Sequence, residues 1–455
     1  MASVGDFNGD GLSDILISAP YNDFVGSDAG RAYLVYGQTG KTPINLSAVA
    51  VGNGGFEING ASAGDVAGMS VSAAGDVNGD GLADIVVGSS GSNSSTGRAY
   101  VIFGNTVGAG YMLSTIAAGS GGFVINGEAT GGNLGFSVAG AGDVNGDGLA
   151  DIVVGAYNYN SGTGRAYVVY GKTSTTAVAA SAVAGGTGGF AVQGETTSVS
   201  FGVAVSGAGD VNGDGLADVV IGSNGYASTT GRAYIVFGRT GTTLLTANAL
   251  GTGGFSVTGE TTATNFGYDV AYGGDINGDG LADLLVGAYA YGSSTGRAYV
   301  VFGRTSGNLD INVAGSSLGT SGFAIVAECA QDYVGFNVAY AGDVNGDGLA
   351  DMLVSARYND TAAGNAGRAY LVYGRTGSNS VQLSDVAKGI GGFTITGQFA
   401  NDELGFDVSA GGDINGDGLA DLVVGARLND ATASNAGRVY VIFGRTDGTS
   451  SSVVV

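Results

Sequence analysis

Apolar residues come in short runs bounded by Gly, Ser, Thr and Asn, and four such runs recur in a fixed order. In one stretch the runs are LGFSVAGAG (Leu134 to Gly142), DIVVGAY (Asp151 to Tyr157), GRAYVVYG (Gly164 to Gly171) and GGFAVQG (Gly188 to Gly194). Each has strand length, is rich in Val, Ile and Tyr, and is closed by turn formers. No stretch shows convincing helical periodicity. The pattern predicts an all-β chain with four antiparallel strands per unit. The second and third runs are apolar on both faces, so each sheet needs a neighbour on both sides. Seven four-stranded sheets set radially supply those neighbours and protect their edges, which favours a seven-bladed β-propeller. A linear β-solenoid is the alternative, but its rungs are usually much shorter than this repeat.

The repeat length comes from a nine-residue loop between the first and second strands, whose copies start at Asp6, Asp76, Asp143, Asp210, Asp275, Asp343 and Asp413, 65 to 70 residues apart. So steady a period means one unit built seven times. In all seven copies positions 1, 5 and 9 are Asp, position 3 is Asn, position 6 is Gly and position 7 is Leu. The alternating oxygens, completed by the Leu carbonyl, can converge on one hard cation, and an adaptable loop of six or more oxygens suits Ca²⁺ better than Mg²⁺. The candidate ligands are Asp6, Asn8, Asp10, Leu12 and Asp14; Asp76, Asn78, Asp80, Leu82 and Asp84; Asp143, Asn145, Asp147, Leu149 and Asp151; Asp210, Asn212, Asp214, Leu216 and Asp218; Asp275, Asn277, Asp279, Leu281 and Asp283; Asp343, Asn345, Asp347, Leu349 and Asp351; and Asp413, Asn415, Asp417, Leu419 and Asp421.

The loop is not an EF-hand, which needs a bidentate Glu at position 12 and flanking helices. Position 12 here is apolar, as at Val154 and Ile221, and strands follow. Asn-Gly-Asp-Gly also suits a plain hairpin turn. A turn alone, however, has no use for a ninth-position Asp in every copy.

Charge follows the same division. The chain carries 39 acidic and 16 basic residues, for a net charge of −23. Three acids in each of seven loops account for nearly all of the excess, so the acidity reads as metal-ligand acidity rather than the mark of a basic partner. Two like charges 4 Å apart repel by about 4 kcal/mol at an effective dielectric near 20, so metal-free loops are expected to splay.

Composition excludes several chemistries. With no histidine in the chain, Ser-His-Asp, Cys-His and the usual His-based zinc sites are absent. The one cysteine, Cys329, allows no internal disulfide and reads as a small buried apolar residue. No phosphate-cradling glycine motif occurs, and the scattered basic residues form no nucleic-acid surface. No apolar run approaches a membrane span. No signal peptide is visible ahead of the first loop, which suggests a fragment or processed form.

The combination FG-x-x-V, GDVNGDGLAD and IVVGA resembles the FG-GAP repeat of the integrin α-subunit head. Phe201-Gly202 and Phe266-Gly267 keep the Phe-Gly pair, Gly135-Phe136, Gly335-Phe336 and Gly405-Phe406 invert it, and Ala19-Pro20 keeps part of the Gly-Ala-Pro element. The resemblance covers essentially the whole chain. It implies a single seven-bladed propeller over 1–455, with approximate blades 1–60, 61–127, 128–194, 195–259, 260–327, 328–397 and 398–455. It also implies up to seven Ca²⁺ ions held between the first two strands of the blades. Bacterial surface proteins with such repeats are the nearer likeness. The GGF strand occurs five times, and a sixth time as SGF from Ser321, and the tail Ser450 to Val455 is expected to supply the fourth strand of blade seven.

The repeats differ in one respect. From the ninth-position Asp to the Gly-Arg pair, repeats one, six and seven run 16 residues and the others 13. The longer loops carry Pro20 to Asp23, Arg357 to Asp360 and Arg427 to Asp430, contiguous in a closed ring. Integrin ligands bind the face opposite the metal loops, so the resemblance places a protein or glycan partner there, around Tyr21, Asp23, Tyr358, Asp360 and Asp430. Drift in loop length is the bland alternative. Tyr157, Tyr159, Tyr289 and Tyr291 fit such a surface or simple packing. The Arg of each Gly-Arg pair is read as structural, pairing with a carboxylate of an adjacent loop.

The resulting expectation is a non-catalytic, calcium-stabilised adhesion or recognition module at a bacterial surface or outside the cell. The alternatives are an architectural subunit of a surface layer, sheath or filament that self-assembles, and a glycan-active enzyme using paired carboxylates.

Overall fold

A computed structural model describes residues 1–197, 199–305, 310–313, 318–431, 433–445 and 452–455. The chain forms seven sheets, one per repeat, of an all-β seven-bladed propeller. In the third blade Ser137–Gly142 pairs antiparallel with Asp151–Ala156, which pairs with Arg165–Val169, which pairs with Gly189–Gln193. The second strand, DIVVGA, is buried at all six positions, as two-sided packing requires. Val86 and Val101 of blade two pack in one cluster with Val138, Val154 and Tyr167 of blade three, so the core lies between blades. Burying each such side chain contributes about 1.5–3 kcal/mol.

The first strands line the axis. Each touches its neighbours around the ring, and Ala2–Gly5 touches both Ala67–Gly75 and Leu404–Gly412, which closes the circle. Side chains reinforce this inner ring: Val138 N donates to Ser70 Oγ at 3.1 Å, Val205 N to Ser137 Oγ at 3.0 Å, Val338 N to Asp269 Oδ2 at 2.8 Å and Val408 N to Asn337 Oδ1 at 2.9 Å.

The fourth strand starts on a glycine whose role is steric. Gly189 has φ +145°, and a Cβ there would stand 2.0 Å from the Val168 carbonyl oxygen. Gly55, Gly122 and Gly392 repeat the arrangement at φ +146°, +155° and +151°. Only glycine fits so close an approach in this backbone region.

Two expectations need correction. Six sheets hold a fifth, parallel strand, contributed by the following repeat: Tyr111–Met112 joins blade one, Val178–Ala179 blade two and Leu245–Thr246 blade three. Second, the tail does not complete blade seven. Ser452–Val454 pairs parallel with Thr394–Thr396 as the fifth strand of blade six. It follows the route of every earlier connection, which crosses back to the preceding blade's edge. Ser450 and Ser451 lie outside the described residues, and blade seven shows three strands among those described.

Candidate functional site

Each nine-residue loop follows a register shift in its first strand. In blade three the shift falls between Gly140 and Gly142, and Gly142 takes φ +75°. Gly146 and Gly148 also need the left-handed region, at +78° and +89°. Seven hydrogen bonds then fix the loop. Asp143 Oδ1 accepts the N–H of Gly146 at 2.7 Å and of Asp147 at 3.1 Å, while its Oδ2 accepts Gly148 N–H at 2.9 Å. Asn145 Oδ1 accepts Asp147 N–H at 2.8 Å, and Asp147 Oδ1 accepts Leu149 N–H at 3.0 Å. Asn145 Nδ2 donates to Asp147 Oδ2 at 3.0 Å, and Asp151 Oδ2 accepts Val144 N–H at 2.9 Å. The remaining oxygen of Asp151 accepts Gly171 N–H, from the end of the third strand, at 2.8 Å. The expected splaying of charge-crowded loops is therefore opposed by the loop's own N–H groups.

The ninth-position aspartates Asp14, Asp84, Asp151, Asp218, Asp283, Asp351 and Asp421 are fully buried. Burial pushes Asp151 up to about 7, against two backbone N–H bonds that pull it down, with Asp147 and Asp143 adding to the rise. Asp14, Asp218, Asp283 and Asp351 also reach about 7 and Asp84 about 6, and Asp421 moves the same way, all chiefly through burial. A carboxylate buried beside two others is a group that a cation would relieve. The donor chemistry fits one: each ionised carboxylate offers about four lone-pair sites, and the loop's N–H groups leave several unspent on Asp143, Asp147 and Asp151. Among the described residues no three acidic, Cys or His side chains stand ready-gathered as a metal cluster, so a shell here would need Asn145 and the Leu149 carbonyl as well.

The opposite face is built from the second-to-third-strand loops. Asp23, Asp360 and Asp430 share one job there, each accepting the N–H of the residue five positions on, at 2.8 Å in Asp28 and 2.6 Å in Asn365 and Asn435. Tyr21 is 65% exposed, and its neighbour Phe24 stacks under Arg31 at 3.9 Å. Tyr358 belongs to an aromatic group with Tyr333, at 4.8 Å and 89°, and Tyr333 stacks on Tyr289 at 5.7 Å. The Arg357 guanidinium sits 3.7 Å over Phe336 and 4.5 Å over Tyr358.

A cavity of about 540 Å³ joins Tyr358 and Asp360 with Ser293, Ser294, Gln331, Tyr333, Asn365 and Glu403. Tyr21, Asp23 and Asp430 lie outside it. Sequence reasoning missed Tyr333 and Glu403, which sit in the variable stretches before the first strands. Tyr157 packs on Phe136 at 4.6 Å, while Tyr159 and Tyr291 lie under Arg165 and Arg297 at 4.2 Å and 3.9 Å.

Five of the seven recurrent arginines pair with carboxylates among the described residues. Arg165, Arg232, Arg297 and Arg368 bind Glu128, Glu195, Glu260 and Glu328, each just past the preceding blade's fourth strand, and Arg31 binds Glu57 of its own blade. Cys329 is exposed rather than buried. No described helix is long and apolar enough to cross a membrane.

Comparison with known proteins matches the FG-GAP repeat at residues 2–35, 67–102, 134–169, 201–236, 266–301, 337–372 and 404–442, one match per blade. Among curated proteins the chain is similar to integrin alpha-V of Gallus gallus, 31% identical over 48% of this chain and 19% of that protein. It is also similar to integrin alpha-5 of Xenopus laevis, 29% identical over 41% of this chain and 17% of that protein. A third, integrin alpha pat-2 of Caenorhabditis elegans, is 31% identical over 49% of this chain and 17% of its own length. The matched region thus spans less than a fifth of each of these relatives.

Proposed function

Because the chain belongs to the FG-GAP repeat family, we propose that it is a non-catalytic recognition propeller, stabilised by up to seven Ca²⁺ ions and working at a cell surface or outside the cell, in a bacterium. Residues 1–455 act as one unit, with blades near the repeat boundaries given above. The observation that carries the calcium reading is the fully buried ninth-position aspartate of every loop, desolvated beside two further carboxylates. A cation supplies the compensating charge. The likeness to integrin alpha chains supports adhesion or ligand binding as the purpose of the ring.

The partner surface is the face opposite the loops, with Tyr358 and Asp360 at the cavity and Tyr21, Asp23 and Asp430 along the same built-up sector. A protein or a glycan is the ligand class. Surface-protein and glycan arrays probed with and without Ca²⁺ test this directly. A calcium-dependent binder lost in Tyr358→Ala, with an unchanged melt, supports the reading. No binder on either array counts against it. The architectural alternative rests on the near-identical blades, and Ca²⁺-driven self-association in light scattering would favour it over ligand binding.

A further inference from the structure

At five of the seven seams, all but those between loops one and two and between loops six and seven, successive loops are joined through their backbones. The Ala150 N–H, at position eight of the third loop, donates to the Asp76 carbonyl of the second loop at 3.0 Å. That N–H shares its peptide plane with the Leu149 carbonyl, the seventh-position candidate ligand. The accepting Asp76 carbonyl shares its plane with the Val77 N–H, which donates to Asp84 Oδ2 at 2.8 Å. Two peptide planes and two hydrogen bonds therefore run from a candidate ligand of loop three to a candidate ligand of loop two.

The same relay recurs from Ala217 to Asp143 at 3.0 Å, Ala282 to Asp210 at 3.1 Å, Ala350 to Asp275 at 3.0 Å and, across the ring's closure, Ser13 to Asp413 at 3.0 Å. In each, the next residue's N–H reaches the ninth-position Asp at 2.9 Å. A side-chain contact runs beside it: a Cβ built on Gly79, Gly146 or Gly213 would stand 3.0 Å from the Leu of the following loop.

Resting on the calcium reading above, we infer that the linked loops fill with positive coupling, two to six as one run and seven with one as a pair, and not as seven independent sites. A cation on the Leu149 carbonyl polarises that peptide and strengthens its N–H as a donor, and chained hydrogen bonds reinforce one another. Ordering loop three also holds the Asp76 and Val77 peptide that aims Asp84, so part of the ordering cost of the second ion is met by the first. Repulsion between ions is the opposing effect. It is small here, because three aspartates outweigh each dication and leave every filled loop at about −1, with salt screening what remains over about 10 Å.

Native mass spectrometry of the chelated chain titrated with Ca²⁺ tests this. Near half saturation, coupling enriches chains that carry none, two, five or all seven ions, and a statistical spread centred on half-filled rings overturns it. Disabling one loop with Asp143→Asn and Asp147→Asn is the second arm. Coupling predicts that loops two and four, which are linked to it, bind at least about 5-fold more weakly, the lower end of ordinary allosteric coupling. Six ions bound with unchanged affinity would overturn it. A wild-type chain that takes up no Ca²⁺ removes the calcium reading itself, a result distinct from independent filling.

Discussion

Arg232 of blade four holds Glu195, which stands just past the end of blade three's fourth strand, at 2.9 Å, and the Tyr234 hydroxyl donates to the same carboxylate oxygen at 2.6 Å. Arg232 Nε meanwhile donates to Thr258 Oγ1 of its own fourth strand at 2.8 Å. One guanidinium thus ties two blades together at a mostly buried seam. Breaking a buried pair by removing one partner leaves an uncompensated charge. Arg232→Ala should cost about 3 kcal/mol in chemical denaturation, and Glu195→Gln less, since an amide oxygen still accepts both bonds. Metal uptake by the other blades should survive either change.

Chelation should lower the melting temperature sharply. A site held at 100-fold over its dissociation constant contributes about 2.7 kcal/mol, and seven such sites would dominate the stability of a chain without disulfides. Scanning calorimetry with excess chelator checks this, and an unshifted melt would sink the idea.

Gly189→Ala should be among the most damaging single-methyl additions. The new Cβ would sit 2.0 Å from the Val168 carbonyl oxygen at φ +145°. The loss should exceed about 2 kcal/mol, read as a lower denaturation midpoint with an unchanged slope.

Asp269 gives a pH signature away from the loops. Burial raises it to about 7, Asp407 adds to the rise, and the Val338 N–H bond works against it. The folded value lies above the unfolded one, so this carboxyl burdens the fold once the unfolded chain ionises, and the burden grows until pH passes about 7. Asp269→Asn keeps an acceptor for Val338 and Asn337 without the charge. It should raise the melting temperature at about pH 8 and lose that advantage at about pH 3, below both values. Equal gains at both pH values would show that charge is not the cause.

The loops and strands were readable because each needs residue types at fixed spacing: Asp at 1, 5 and 9, and six-residue runs such as DIVVGA buried on both faces. The fifth strand was not. Tyr111–Met112, Val178–Ala179 and Leu245–Thr246 share two paired backbone positions and one leading apolar residue packed on the core, too short a pattern to mark a strand. The Arg–Glu pairs left a usable signal, since Glu128, Glu195 and Glu260 each stand 37 residues before their arginine. The loop-closing bonds of the long-loop aspartates left no mark of their own, because loop closure and ligand binding ask for the same exposed carboxylate. The cavity at Tyr333 and Tyr358 depends on which loops the ring brings side by side, and spacing along one repeat carries no record of that.

Because the outermost strand of six blades is lent by the repeat that follows, the segment a duplication copies and the body that folds are out of step. Excising a period from the gene removes the cover of the blade before it along with most of a blade. A ring of this kind can therefore grow or shrink only by whole periods, and a lone repeat cut free would lack its own last strand while offering one to a neighbour that is no longer there.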